Sequence, residues 1–287
     1  MEKYVYRKAT ERDIEFISEI RLEVLKSAND IEHLEKTTLR DSEMNNIEQK
    51  IEPIGFWTSF LLFFVLGVIF AFDTKYLIPF IVKQINVNPF IISQIVLSFS
   101  LFIPIFVTTI ILLKHDKLII NWQNIKKRLN IKRLRVKDLF WIFGSLFVAI
   151  IITGLIIIVL YLLPSFNLDS IKNISPIALK PLKGYELFFL LFMPIFWFFN
   201  YVGEEILWRG YLYPRQEIIF RKKTWIINGL LHGVFHFYME LPVLIFLPIL
   251  LSIPFVYNKT RNTSAVIIMH ALLGVPMDFL LAIGVLK

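Results

Sequence analysis

Residues 187–214 read LFFLLFMPIFWFFNYVGEEILWRGYLYP. Leu187 to Phe199 carry no charge, and Glu204, Glu205 and Arg209 then follow inside the same apolar run. A charged side chain at the centre of a bilayer costs about 2.5–3.5 kcal/mol on insertion scales, so such residues face a bundle interior or a wet cavity and mark a functional site. The stretch therefore indicates a fold of helices buried in lipid, and it marks where chemistry is to be sought.

Composition outside the stretch agrees. The chain has 287 residues, is 56% hydrophobic and holds 28 Phe, with a mean hydropathy of +0.63. Soluble domains are not built this way. Several uncharged runs approach or exceed the roughly 20 residues that cross a bilayer. The expected fold is all-α, a polytopic membrane helical bundle of about seven spans, near 55–73, 90–113, 139–163, 186–213, 224–238, 241–257 and 263–286. There is no Cys, which excludes disulfides and thiolate metal sites. The start is charged and lacks an apolar core, so it does not read as a signal peptide.

Charge sets the expected orientation. Of the net +8, residues 1–50 hold 9 Lys/Arg against 12 Asp/Glu, or −3, which leaves +11 for the remainder. That excess reads as cytoplasmic loops rather than a nucleic-acid surface. The 114–137 connection alone carries nine Lys/Arg, and the other basic connections (Arg215 with Arg221 to Lys223; Lys259 with Arg261) fall on its side of the bundle. The expectation is a multi-pass cell-membrane protein with the N-terminus inside and the C-terminus outside. Residues 118–137 alternate apolar and basic side chains, as in an interfacial helix or a solvated basic loop.

Residues 1–52 form a separate polar segment, and residues 53–287 the bundle. Tyr4 to Tyr6 suit a short strand, and Thr10 with Asp13 opens a helix whose apolar positions include Phe16, Ile17, Ile20 and Val24. This start resembles the opening strand and helix of GNAT-type acetyltransferases, with a linker after it. The glycine-rich loop that would cradle a pyrophosphate is absent, so no acetyltransferase activity is expected.

The remaining polar residues of the spans form a candidate site. His232 and His236 are four apart and share a helix face with Asn228; His270, Gly274 and Asp278 share a face of the last span. At about 1.5 Å per residue, Glu204, His236 and His270 lie roughly 14–20 Å from their nearest basic helix ends, close to one depth. A carboxylate with imidazoles in an enclosed site suits water activation. Glu204 or Glu205 is the proton acceptor; with Glu205 and Arg209 at i, i+4, either Glu204 does the chemistry while Glu205 holds Arg209, or the two share both tasks. Neutral imidazoles can bind Zn²⁺ or donate to an oxyanion. Candidate metal ligands are Glu204, His236 and His270, with His232 weaker. Each feature also has a plain structural reading: a lone intramembrane His as interhelical glue, and Gly229 with Gly233 as a close helix contact.

In order and spacing these residues resemble the CAAX-protease and bacteriocin-processing (CPBP, or Abi) family of intramembrane proteases. Its Glu-Glu-x-x-x-Arg motif is complete in Glu204, Glu205 and Arg209. Its aromatic-x-x-x-His motif is matched at His236, with His232 in the aromatic place. Its His-x-x-x-Asn/Asp motif begins at His270 but has Gly274 in the last place. The resemblance covers about 139–286. It implies an intramembrane endopeptidase (with Zn²⁺ as the candidate cofactor) acting on a peptide or prenylated protein, with Glu204 activating water and with His236 and His270 binding metal or stabilising the oxyanion. The site is expected to open toward the cytoplasm. Gly274 motivates an alternative, a catalytically inactive scaffold or bacteriocin-immunity factor. A third reading is a proton- or ion-coupled transporter. Oligomeric state is not legible.

Overall fold

A computed structural model describes residues 51–163 and 179–285. The chain divides after Lys50, and the strand, helix and linker read in residues 1–50 lie outside the described residues. Every described element is helical. In chain order they are α1 (Phe56–Gln84), α2 (Pro89–His115), the short α3 (Trp122–Arg128), α4 (Val136–Tyr161), the 3₁₀ segment α5 (Gly184–Leu191), α6 (residues 193–220), α7 (Thr224–Phe235), α8 (Pro242–Thr260) and α9 (Thr263–Ala282).

Five of these are long and apolar enough to cross a membrane, or six if the bent pair that starts at Gly184 counts as one span. The seven expected from sequence shrink at the fourth and fifth. α5 is bent by 45° from the helix that follows it. The chain then reverses at Arg221, whose φ of +50° ends α6. Asn228 on α7 donates back to the Trp208 carbonyl at 3.3 Å and to Gln216 Oε1 at 2.9 Å, so α7 packs against α6. With 12 residues, α7 is roughly 18 Å long and falls short of a hydrocarbon core of about 30 Å. α1 instead runs eleven residues beyond the expected 73, to Gln84. Asp73 and Lys75, which end the uncharged run, are tolerated there because Asp73 accepts from Ser100 and Lys75 pairs with Glu240.

Prolines shape the long helices. Proline lacks an N–H, and its ring crowds the carbonyl four residues earlier. Pro79, Pro104 and Pro214 each follow a widened π turn, at Asp73–Leu77, Ser98–Phe102 and Ile206–Leu212. In each case the crowded residue (Lys75, Ser100 and Gly210) lies inside that turn. Pro248, Pro254 and Pro276 sit in helices without one, so the device is not obligatory. The third π turn carries Arg209, and a fourth at Phe198–Val202 lies just before Glu204. The site glutamates thus stand between two interruptions of α6, where π turns commonly occur in functional helices.

Two ends of the bundle are distinct. At the basic end, Asn262 Nδ2 donates to Asp138 at 3.1 Å, Thr263 N donates to the Asn130 carbonyl at 2.9 Å, and Arg215 pairs with Asp116. Leu118 and Leu129 are buried there while Ile119, Ile120 and Trp122 are exposed. The 114–137 connection therefore folds partly into the bundle and is neither a fully solvated loop nor a helix resting wholly on the leaflet. At the other end, Asn88 Nδ2 donates to Pro181 O and Glu186, at 3.1 and 2.9 Å, and Leu182 N donates to Ala282 O at 2.8 Å.

Between the ends, α7 packs on α1 and α8, and α8 packs on α4 and α9. The core at the level of the site is aromatic: Phe63 stacks on Trp208 with centroids 4.0 Å apart, and Phe235 meets Trp208 edge-on at 5.4 Å.

Candidate active site

Glu204, Glu205, Arg209 and His232 are all buried. Arg209 donates one guanidinium nitrogen to Glu205 Oε1 at 2.9 Å and places the other 3.0 Å from His232 Nδ1. His232 Nε2 in turn lies 3.3 Å from Glu204 Oε2, which also accepts from Trp208 Nε1 at 3.3 Å. A guanidinium has donors only, so His232 Nδ1 accepts and the ring proton sits on Nε2, from which it is donated to Glu204. One chain of contacts thus runs Glu205–Arg209–His232–Glu204. It supplies the opposite charge and the hydrogen bonds that a buried carboxylate pair needs.

Glu204 lines a cavity of about 380 Å³ together with His236, His270, Tyr201, Tyr238 and Asp278. Glu205 does not line it. Its Oε1 lies 2.9 Å from His270 Nδ1 as well as from Arg209, and the first of these is a close approach without the alignment of a hydrogen bond. His236 comes from the end of α7, and its Nδ1 makes no hydrogen bond among the described residues. Its ring centroid is 4.8 Å from that of His232. Three helices, α6, α7 and α9, therefore deliver the two glutamates, Arg209 and three histidines to one place.

Gly274 is filled from across the bundle. A Cβ at this position would lie 2.1 Å from the Tyr201 hydroxyl oxygen. That hydroxyl donates to Asp278 Oδ2 at 3.0 Å, and Trp197 Nε1 donates to the same oxygen, also at 3.0 Å. Tyr201 also meets the His270 ring edge-on with centroids 5.0 Å apart. The polar group that the sequence lacks at 274 is replaced in space by a phenol from α6, with a carboxylate one turn further along α9.

Residues 186–275 match the family model described as Type II CAAX prenyl endopeptidase Rce1-like. The match covers 90 of the 287 residues. The matched stretch runs from α5 into α9 and contains all six buried or cavity-lining residues of the Glu-Arg-His constellation. This agrees with the CPBP resemblance read from the motifs. No curated protein and no solved structure matches the chain.

Within the matched stretch the structure brings the sequence-derived candidates together, in differing positions. Glu204, His236 and His270 reach the cavity; Glu205 and Arg209 stand behind it. His232, the weaker candidate by sequence, is the most enclosed of the three histidines and the one that joins both carboxylate partners. Tyr201 and Trp197 were missed, because nothing in a linear motif pairs α6 with position 274.

The lining of the cavity runs from Glu204 away from the basic connections. Trp208, Arg209, Leu212 and Tyr213 are buried and close the site from the basic end. The cavity instead continues past Thr74, Gln94 and Met239 to Leu281, near the opposite helix ends.

Proposed function

We propose that the chain is an intramembrane endopeptidase in which Glu204 activates a water molecule. The observation that carries this reading is the environment of Glu204. Its carboxylate faces the cavity while Trp208 and His232 fix it from behind, and His236 and His270 lie on the same wall. Glu204 takes a proton from water as the oxygen attacks the scissile carbonyl. The His236 and His270 rings supply hydrogen bonds to the oxyanion that forms. On collapse the C–N bond breaks and Glu204 returns the proton to the leaving amine. Glu205, paired with Arg209, is a positioning residue, since it does not reach the cavity.

A metal fits these residues poorly. Ligand atoms of Glu204, His232 and His236 lie within 4.8 Å of one another, the spacing of a cation site. Catalytic zinc sites use three protein ligands with free lone pairs. His232 has none to offer, since Nδ1 accepts from Arg209 and Nε2 carries the proton given to Glu204. The glutamate mechanism therefore needs no resident metal.

The test is to incubate purified protein with a pool of apolar peptides, prenylated and unmodified, and to read new termini by mass spectrometry with and without chelator. Cleavage that survives chelation is expected. Cleavage lost with chelator and restored by Zn²⁺ would overturn the metal-free chemistry. A folded protein that cuts none of the peptides would count against the protease.

A further inference from the structure

The cavity is lined by a second carboxylate that the proposed chemistry does not use, that of Asp278. We infer that Asp278 is a recognition site for a cationic nitrogen of the substrate, on a Lys or Arg side chain within about four residues of the bond that is cut. That role rests on the peptidase reading of the cavity and adds what the cavity selects.

Three observations carry it. First, Asp278 is fixed on one side and left open on the other. Trp197 Nε1 and the Tyr201 hydroxyl both donate to Oδ2, each at 3.0 Å. Oδ1 accepts no hydrogen bond among the described residues. A carboxylate offers lone pairs on both oxygens. The two aromatic donors therefore orient the group and leave one oxygen for a ligand.

Second, no cation of the chain answers it. The lining of the cavity includes neither Lys nor Arg. Arg209 stands behind the wall and is committed to Glu205 and His232. Asp278 lies in α9, which is long and apolar enough to cross a membrane. An ionisable side chain in such a helix calls for a partner, and an uncompensated buried charge is costly. An arriving ammonium or guanidinium would supply the missing charge. A metal ion suits the place less: the ligand atoms spaced for a cation belong to Glu204, His232 and His236, and Asp278 is not among them.

Third, the surroundings suit a long basic side chain. Tyr201 and Tyr238 line the same space, and ring faces attract a cation within about 6 Å. Ile78, Leu97 and Leu281 provide apolar wall for the aliphatic stem that carries the charge. Asp278 is eight residues beyond His270 on α9, roughly 12 Å along the axis. An extended peptide covers that distance in about four residues, which sets how far the basic residue stands from the cut.

The probes are apolar peptides with both termini blocked, so that no free amine competes. Each carries one Lys, moved through every position, and a matching set carries norleucine, which keeps the stem but lacks the ammonium. Binding of fluorescent versions is measured on Glu204→Gln protein in detergent, where Asp278 is the carboxylate left on the cavity wall. Cleavage by wild type is read by mass spectrometry. At one position or more, the Lys peptide should bind at least about tenfold more tightly than its norleucine counterpart, the lower end for a hydrogen bond to a charged group. In Glu204→Gln/Asp278→Asn that ratio should fall toward one. Asn keeps an oxygen for Trp197 and Tyr201, and its unfolding transition checks that the site is intact. If the double variant does not accumulate, the ratio in Glu204→Gln alone decides. Equal binding of the two sets at every position, binding of neither set, or a ratio that survives Asp278→Asn would overturn the inference. Selective binding of Lys peptides without cleavage by wild type would support the recognition site and count against the peptidase. Cleavage with no preference for Lys would do the reverse.

Discussion

Replacing Gly274 with Asn restores the family's residue at that position, yet here it should damage the protein. A Cβ at 274 would lie 2.1 Å from the Tyr201 hydroxyl, against the 3.4 Å at which ordinary contact begins. The phenol must therefore retreat by about 1.3 Å, from 2.1 to 3.4 Å. Its hydrogen bond to Asp278 is 3.0 Å long, and a retreat of that size breaks it unless Asp278 follows. A hydrogen bond to a charged group contributes about 1.5–3 kcal/mol, and overpacking costs about 1–3 kcal/mol. Gly274→Asn should thus destabilise by about 3–5 kcal/mol. Tyr201→Ala alone should cost a similar amount through the cavity it leaves. The double variant Tyr201→Ala/Gly274→Asn should cost less than the two singles combined, by about 2 kcal/mol or more, because the Asn then occupies the vacated space. Unfolding of the four proteins in one detergent measures this. Additive losses, or a Gly274→Asn protein as stable as wild type, would refute the proposed exchange of Tyr201 for a side chain at 274.

Other outcomes follow from single contacts. Gly229→Ala should destabilise the bundle by about 1–3 kcal/mol, since a Cβ there would lie 2.7 Å from Leu251 Cδ2 and 3.0 Å from its Cα, whereas Gly233→Ala, with nothing nearer than 3.7 Å, should be close to neutral; the same unfolding assay separates them. His232→Phe restores the family's aromatic but removes the acceptor for Arg209 and the donor to Glu204, so activity should fall at least tenfold and stability by about 3–5 kcal/mol, and His232→Phe with wild-type kcat would contradict the bridging role. At the exposed Glu240, the hydrogen bond and charge of Lys75 hold the carboxyl below its ordinary 4.5. A lowered folded pKa means that the contribution is present above the ordinary value and is lost as pH falls through the lowered one. Lys75→Met should therefore lower stability at neutral pH and converge with wild type in acid, flattening the acid limb of the stability profile below about pH 4.5.

Much of the site was legible because its residues break a strong background. Glu204, Glu205 and Arg209 interrupt an apolar run, and the cost of burying charge makes such interruptions informative. The i, i+4 spacing of Glu205 and Arg209 gives their pairing directly, because it depends on one helix. What stayed hidden depends on several helices at once. His232 reads like a misplaced aromatic until the Arg209 guanidinium is seen at its Nδ1. Tyr201 has no signal in its own neighbourhood, since its partner positions lie more than 70 residues on, at 274 and 278. The π turns left a trace in Pro79, Pro104 and Pro214, which could have been read as sites where a helix widens. The count of about seven spans is approximate because length and apolarity alone do not show that, among the described residues, α7 is short and α5 is bent. Charge locates the basic loops but does not reveal that Trp208 and Arg209 are buried beneath them.

The most direct measurement is the turnover of Glu204→Gln beside wild type on the same peptides, in the same detergent, with folding of both checked by their unfolding transitions. Gln keeps the shape and the hydrogen-bonding reach of the side chain but cannot accept the water proton. The expected result is a fall in kcat of at least about 10²–10⁴-fold, the range attributed to general acid–base catalysis, with the thermal transition retained. A folded Glu204→Gln protein that cleaves at the wild-type rate would contradict the assignment of Glu204 as the group that activates water.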